Sequence, residues 1–161
     1  MVEQSAYFST VYKAHQAMVF RLCRGYFHGD AVLAADATQE VFIKVWQHLD
    51  GFRNDASLST WIYRIAVNVC LTYLKKASRK RELPQERIPD SSVEVYDTAT
   101  EERLQQMYEC IRLLDEASRI MILMVLEGIS YPDIASVTGI TEANVRVRIH
   151  RIKQQLSNCV Q

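Results

Sequence analysis

Helix breakers are scarce in this chain, with five glycines and three prolines among 161 residues. That scarcity argues against a glycine-rich phosphate loop and lets helices run long. No apolar run is long enough to cross a bilayer, and the opening "MVEQSAYFST" lacks the basic region and apolar stretch of a secretory signal. The expectation is a cytoplasmic protein with no membrane insertion of its own. Cysteine is sparse and scattered, at Cys23, Cys70, Cys110 and Cys159. No pair has zinc-ligand or redox-motif spacing, so reduced thiols packed as small apolar groups are expected. No nucleophile arrangement stands out either. The reading is of a protein that is not an enzyme, with no metal and no cofactor.

Net charge is absent too: 19 basic residues balance 19 acidic ones. The balance conceals a pattern. "KKASRKR", from Lys75 to Arg81, holds five basic residues and no acid. From Glu82 to Glu102 there are seven acids and one base, Arg87. The stretch from Arg146 to Lys153 is basic again. Each zone makes its own local field, so nucleic acid stays open as a partner despite the zero sum.

What is abundant is helical periodicity. The spacing predicts helices over about 5–27, 31–49 and from Thr60 onward, with Ser59 or Thr60 as cap. Further helices are predicted over about 99–114, 116–127, a short one from Ser130 to Gly139, and a last one to about Leu156. In the second, Phe42, Trp46 and Leu49 form an apolar stripe. Loop chemistry fills "DGFRNDASLS" (Asp50 to Ser59), and "LPQERIPDSSVEVYDT" reads as a polar, acidic linker. The expected fold is all-α: a helical domain over 1–82, a linker over 83–98 and a second helical domain over 99–161.

The last two helices match a helix-turn-helix. Ser130 caps the first, Pro132 sits in its opening turn, Gly139 ends it and Thr141 caps the second. In the second, Val145, Ile149, Ile152 and Leu156 make one apolar stripe. Asn144, Arg146, Arg148, His150, Arg151 and Lys153 fall off that stripe, and Thr141, Glu142 and Asn144 mark its amino end. Residues so placed suit base edges, with the flanking cations on phosphate. A solvated charged face is the bland alternative.

In the first half, Phe52, Arg53 and Asn54 precede Trp61, and Arg64 and Asn68 follow on the same helix. Aromatic planes beside amide and guanidinium groups suit unstacked bases, and a basic helix end with Lys75 and Lys76 suits a backbone. Trp61 as plain core is the competing reading, and Ile62, Ile65 and Val69 are expected to be core. Asp36, Gln39 and Glu40 lie within about one helical turn beside an apolar stripe, without a histidine or a ligand set. A polar protein-docking face fits them better than acid–base chemistry.

Two blocks carry a family resemblance. "DATQEVFIKVWQHLDGFRNDASLSTWIYRIAVNVCLTYL" resembles the second conserved region of bacterial sigma-70 factors, and "LLDEASRIMILMVLEGISYPDIASVTGITEANVRVRIHRIKQQL" resembles the fourth. The likeness is strongest to the compact extracytoplasmic-function (ECF) group. It implies a factor that binds core RNA polymerase and directs it to promoter DNA. By that resemblance, Asp36, Gln39 and Glu40 meet the polymerase clamp, and the loop from Asp50 to Leu58 takes a flipped base of the minus-ten element. Trp61 and Asn68 would lie on the melted strand, and residues from Thr141 to Arg151 would read the minus-thirty-five duplex. An anti-sigma partner is also implied. Thr72 and Lys75 depart from the acid and arginine frequent in the family, as does Leu114-Asp115 from its usual Leu-Pro. A stand-alone helix-turn-helix regulator is the alternative.

Overall fold

The computed structural model describes residues 2–53, 57–79 and 98–160. The acidic stretch over 83–97 and Asn54 lie outside the described residues. Among those described there are seven α-helices, one 3-10 turn and no strand. They are α1 (Val2–Tyr26), α2 (Ala31–His48), a 3-10 turn (Leu49–Gly51), α3 (Leu58–Arg79), α4 (Thr98–Arg112), α5 (Glu116–Leu126), α6 (Tyr131–Thr138) and α7 (Glu142–Cys159).

Local chemistry sets the ends. His28 and Gly29 both take positive φ, at 61° and 88°, which reverses the chain after α1. Asp30 then caps α2 by accepting from the Leu33 amide at 3.0 Å. The third helix starts two residues earlier than its periodicity suggests, because Ser57, not Ser59 or Thr60, takes the capping bond from the Thr60 amide at 3.1 Å. Asp115, Ser130 and Thr141 cap α5, α6 and α7 as the sequence leads one to expect. Gly139 closes α6 in the left-handed region, at φ 77°.

Helices α1, α2 and α3 pack on one another through Val19, Cys23, Ala37, Val41, Val45, Ile62 and Ala66, all fully enclosed. Ile134 of α6 and the α7 stripe Val145, Ile149 and Ile152 close over α5. The stripe on α2 departs from expectation at one place. Phe42 and Leu49 are buried, but Trp46 is 40 % exposed. The core line of α2 runs instead through Ala34, Thr38, Val41 and Val45.

The two halves are not separate beads. One apolar core runs through both, because α5 lies on α1 and α6 lies on α3. Leu123 of α5 packs on Gly25, where the missing side chain admits it. Polar contacts rim the seam. Arg21 makes a two-point ion pair with Glu127, both bonds 2.9 Å. The Tyr26 hydroxyl donates to Glu116 at 3.0 Å, with the Arg119 guanidinium over its ring. Burial, helped by that carboxylate, pushes the Tyr26 phenol above its ordinary value.

The cysteines divide into two pairs, which corrects the expectation of four reduced thiols. Cys23 and Cys70 are free, enclosed and 3.7 Å apart, sulfur to sulfur. Cys110 and Cys159 are joined as a disulfide between the ends of α4 and α7. Their separation of 49 residues leaves nothing local for the sequence to reveal.

Candidate nucleic-acid and protein interfaces

The α6–α7 pair forms the helix-turn-helix. Its apolar stripe faces inward, so Thr141, Glu142, Asn144, Arg146, Arg148, His150 and Arg151 are all exposed. Thr141 is spent on the α7 cap, accepting from the Asn144 amide at 3.2 Å. Arg146 is pre-positioned: it donates to Glu142 at 2.8 Å, and its guanidinium lies 5.2 Å from the Tyr131 ring centroid. Tyr131 therefore belongs to this face, although the sequence reading passed over it. Arg148 lies within the field of Asp115. Bonding from the Ser118 amide is the main reason the Asp115 carboxyl sits below its ordinary value.

A second constellation heads α3. The rings of Phe52 and Trp61 lie 5.0 Å apart, tilted by 37°. Both are half-buried, so neither is plain core. Arg53, Asn68, Lys75 and Lys76 are exposed. Arg64 is exposed as well, but it is already engaged. It donates to the Ser136 hydroxyl at 2.9 Å and to the Ser136 carbonyl at 3.3 Å. Ser136 stands on α6, so the two constellations are coupled in this arrangement. Ile62 and Val69 are buried as expected, while Ile65 is half-buried.

Asp36 and Gln39 are exposed on α2, one turn apart. Glu40 is half-buried, with its carboxylate facing the Tyr73 phenol. Burial, then the Glu40 carboxylate, pushes that phenol up to about 12. Beside these residues runs an open groove of about 620 Å³, lined by Phe8, Tyr12, Gln39, Phe42, Ile43 and Trp46. Phe8 meets Trp46 edge-on at 5.1 Å, and Tyr12 meets Phe42 likewise at 4.8 Å. Ile43 and Trp46 are thus part of the exposed surface, not core. For Ile43 helical arithmetic carries that signal, since it falls four residues after Gln39.

An all-helical chain with a helix-turn-helix at one end and an aromatic cleft at the other defines a two-part DNA-binding factor. Residues 11–80 match the family described as Sigma-70 region 2, and residues 104–156 match Sigma-70, region 4. The chain is 34% identical over 141 residues to the ECF RNA polymerase sigma-E factor of Haemophilus influenzae, covering 78% of this chain and 74% of that protein. To the factor of the same name from Escherichia coli K12 it is 33% identical, covering 78% and 73%. In fold it resembles the sigma factor RpoE solved with the anti-sigma factor NepR from Bartonella quintana, at TM-score 0.76 and 19% identity over 95% of this chain and 96% of that one. It also resembles CnrH solved with the cytosolic domain of CnrY, at TM-score 0.71 and 24% identity over 96% and 87%. The chain belongs to the ECF group of the sigma-70 family, whose members direct RNA polymerase to promoters.

Proposed function

We propose that the α1–α3 unit opens and holds the minus-ten strand while α6–α7 reads the minus-thirty-five duplex, both on core RNA polymerase. Phe52 and Trp61 supply the stacking surface for an unpaired base, with Asn54, Arg64 and Asn68 for its edges and backbone. Lys75 and Lys76 face phosphate. Asn144 and Glu142 meet base edges, and Arg146, Arg148, His150 and Arg151 flank them. Asp36, Gln39 and Glu40 dock on the polymerase clamp, and Ile43 and Trp46 extend that docking face with apolar area. The polymerase supplies all the chemistry, and the factor works in the cytoplasm alongside it. Its activity is held in check by an anti-sigma protein.

The observation that carries this reading is the Phe52–Trp61 pair, half-exposed at the head of α3, in the same chain as a helix-turn-helix. A repressor that binds only duplex has no use for it.

Geometry adds a condition. Minus-ten and minus-thirty-five elements lie about 25 base pairs apart, roughly 85 Å of duplex. A compact chain of this length is only about 40 Å across. The closed arrangement cannot grip both, and it holds Arg64 against Ser136. Binding to polymerase parts the halves and releases Arg64 for DNA.

Reconstituted transcription tests the proposal. Core polymerase plus this chain, on a library of genomic fragments, should yield transcripts from defined starts. Permanganate reactivity of the opened thymines should drop in Phe52→Ala, while duplex binding holds. No transcripts, or a Phe52→Ala factor that opens DNA normally, would overturn it.

A further inference from the structure

Helix α4 is weakly anchored. Of its fifteen residues only Cys110 and Ile111 are buried, and residues 98–106 are all exposed. It nonetheless occupies a strategic place. Tyr108, on α4, lies under the Arg24 guanidinium and against Gly29, so α4 touches the seam between the halves. Near its end Ile111 enters the apolar core and the Arg112 carbonyl accepts from Arg119 at 2.9 Å, and the bond from Cys110 to Cys159 ties that end to α7. We propose that Cys110 and Cys159 are a reversible thiol–disulfide modification site whose oxidation staples α4 to the end of the promoter-reading helix.

The two sulfurs divide the work by exposure. Cys159 is exposed on the last turn of α7, while Cys110 is only 4 % exposed. An incoming disulfide such as oxidised glutathione therefore meets Cys159 first. The Cys159 thiolate attacks one of its sulfurs, forming a mixed disulfide and releasing one glutathione thiolate. The neighbouring Cys110 thiolate then attacks the Cys159 sulfur and releases the second. The two protons shed by the cysteines go to the two glutathione thiolates. The protein pair has lost two electrons, and one oxidised glutathione has become two reduced ones. Cys110 needs no access to solvent, because its target is the adjacent sulfur, with the α-carbons 5.9 Å apart.

Cys23 and Cys70 serve as an internal contrast. They are 0 % and 1 % exposed, so the folded chain shields them.

The test uses the full chain in glutathione buffers. In oxidised buffer, alkylation should spare Cys110 and Cys159, and the intact mass should fall by two hydrogens. Amide exchange in α4 should slow by roughly tenfold to a thousandfold relative to reduced buffer, since the bond closes a loop of about fifty residues. Cys159→Ser, altered only at an exposed position, should exchange like the reduced chain in both buffers. Full alkylation of both thiols in oxidised buffer would overturn the proposal. So would a disulfide formed between chains, or α4 exchange that ignores the bond.

Discussion

Replacing Gly25 with valine tests how the two halves hold together. Gly25 lies next to last in α1, buried under α5. A β-carbon built there overlaps Leu123 Cδ2 and lies 3.5 Å from Leu123 Cγ. Valine is a better helix former than glycine by a few tenths of a kcal/mol, so α1 itself is not weakened. The cost falls on the α1–α5 contact. Overpacking a closed core costs about 1–3 kcal/mol, which moves the balance between closed and parted halves roughly fivefold to 150-fold. The polar rim offers little resistance, because the Arg21–Glu127 pair has an arginine 59% exposed and such pairs contribute at most about 1 kcal/mol. Small-angle scattering reads the outcome. The unaltered chain should show the radius of gyration of a compact body, about 15 Å, and Gly25→Val a larger one. Adding Leu123→Ala removes the obstructing branch, so the double variant should return toward the compact value despite its cavity. If Gly25→Val stays as compact and melts at the same temperature as its parent, Leu123 has simply swung aside and the reasoning about the seam fails.

Other outcomes follow from single side chains. Glu40→Lys should weaken co-purification with core polymerase while the circular dichroism spectrum stays helical; undiminished co-purification removes Glu40 from the docking face. Replacing both Arg148 and Arg151 with alanine removes two phosphate contacts, so the plot of log affinity against log salt should flatten by about 2. An unchanged slope means that neither arginine meets phosphate. Asp115→Ala removes the α5 cap and should cost about 1 kcal/mol of stability at neutral pH. The Asp115 carboxyl is held below its ordinary value when folded, so its contribution is present above the unfolded value near 4 and lost as pH falls through the folded one. The melting-temperature gap between the two proteins should therefore close in acid, and a gap that persists there would mean the charge of Asp115 is irrelevant.

Much of this molecule is legible one helical turn at a time. The Asp115, Ser130 and Thr141 caps, the Gly139 stop and the α7 stripe all involve residues within four positions of one another. Local chemistry decides them, so the linear order suffices to find the helix-turn-helix and its outward face. The loop and Trp61 were legible only in part: linear order placed Phe52 nine residues before Trp61 but left Trp61 open between core and surface, and the fold pairs the two rings. Trp46 was harder. Its spacing fits a core stripe, and only the way α1 leans on α2 decides that its ring stays on the rim of an open groove.

Tertiary packing alone decided the rest. Arg64 and Ser136 stand 72 positions apart, Arg21 and Glu127 106, and Cys110 and Cys159 49. No period or cap links such residues, because their meeting depends on how one apolar face settles on another after the helices exist. Sequence thus determined which faces are apolar and which are polar or charged. The burial of α5 on α1 and of α6 on α3 determined that the halves meet in a closed form and that Arg64 is occupied, and the packing of α4 on α7 made two distant cysteines neighbours.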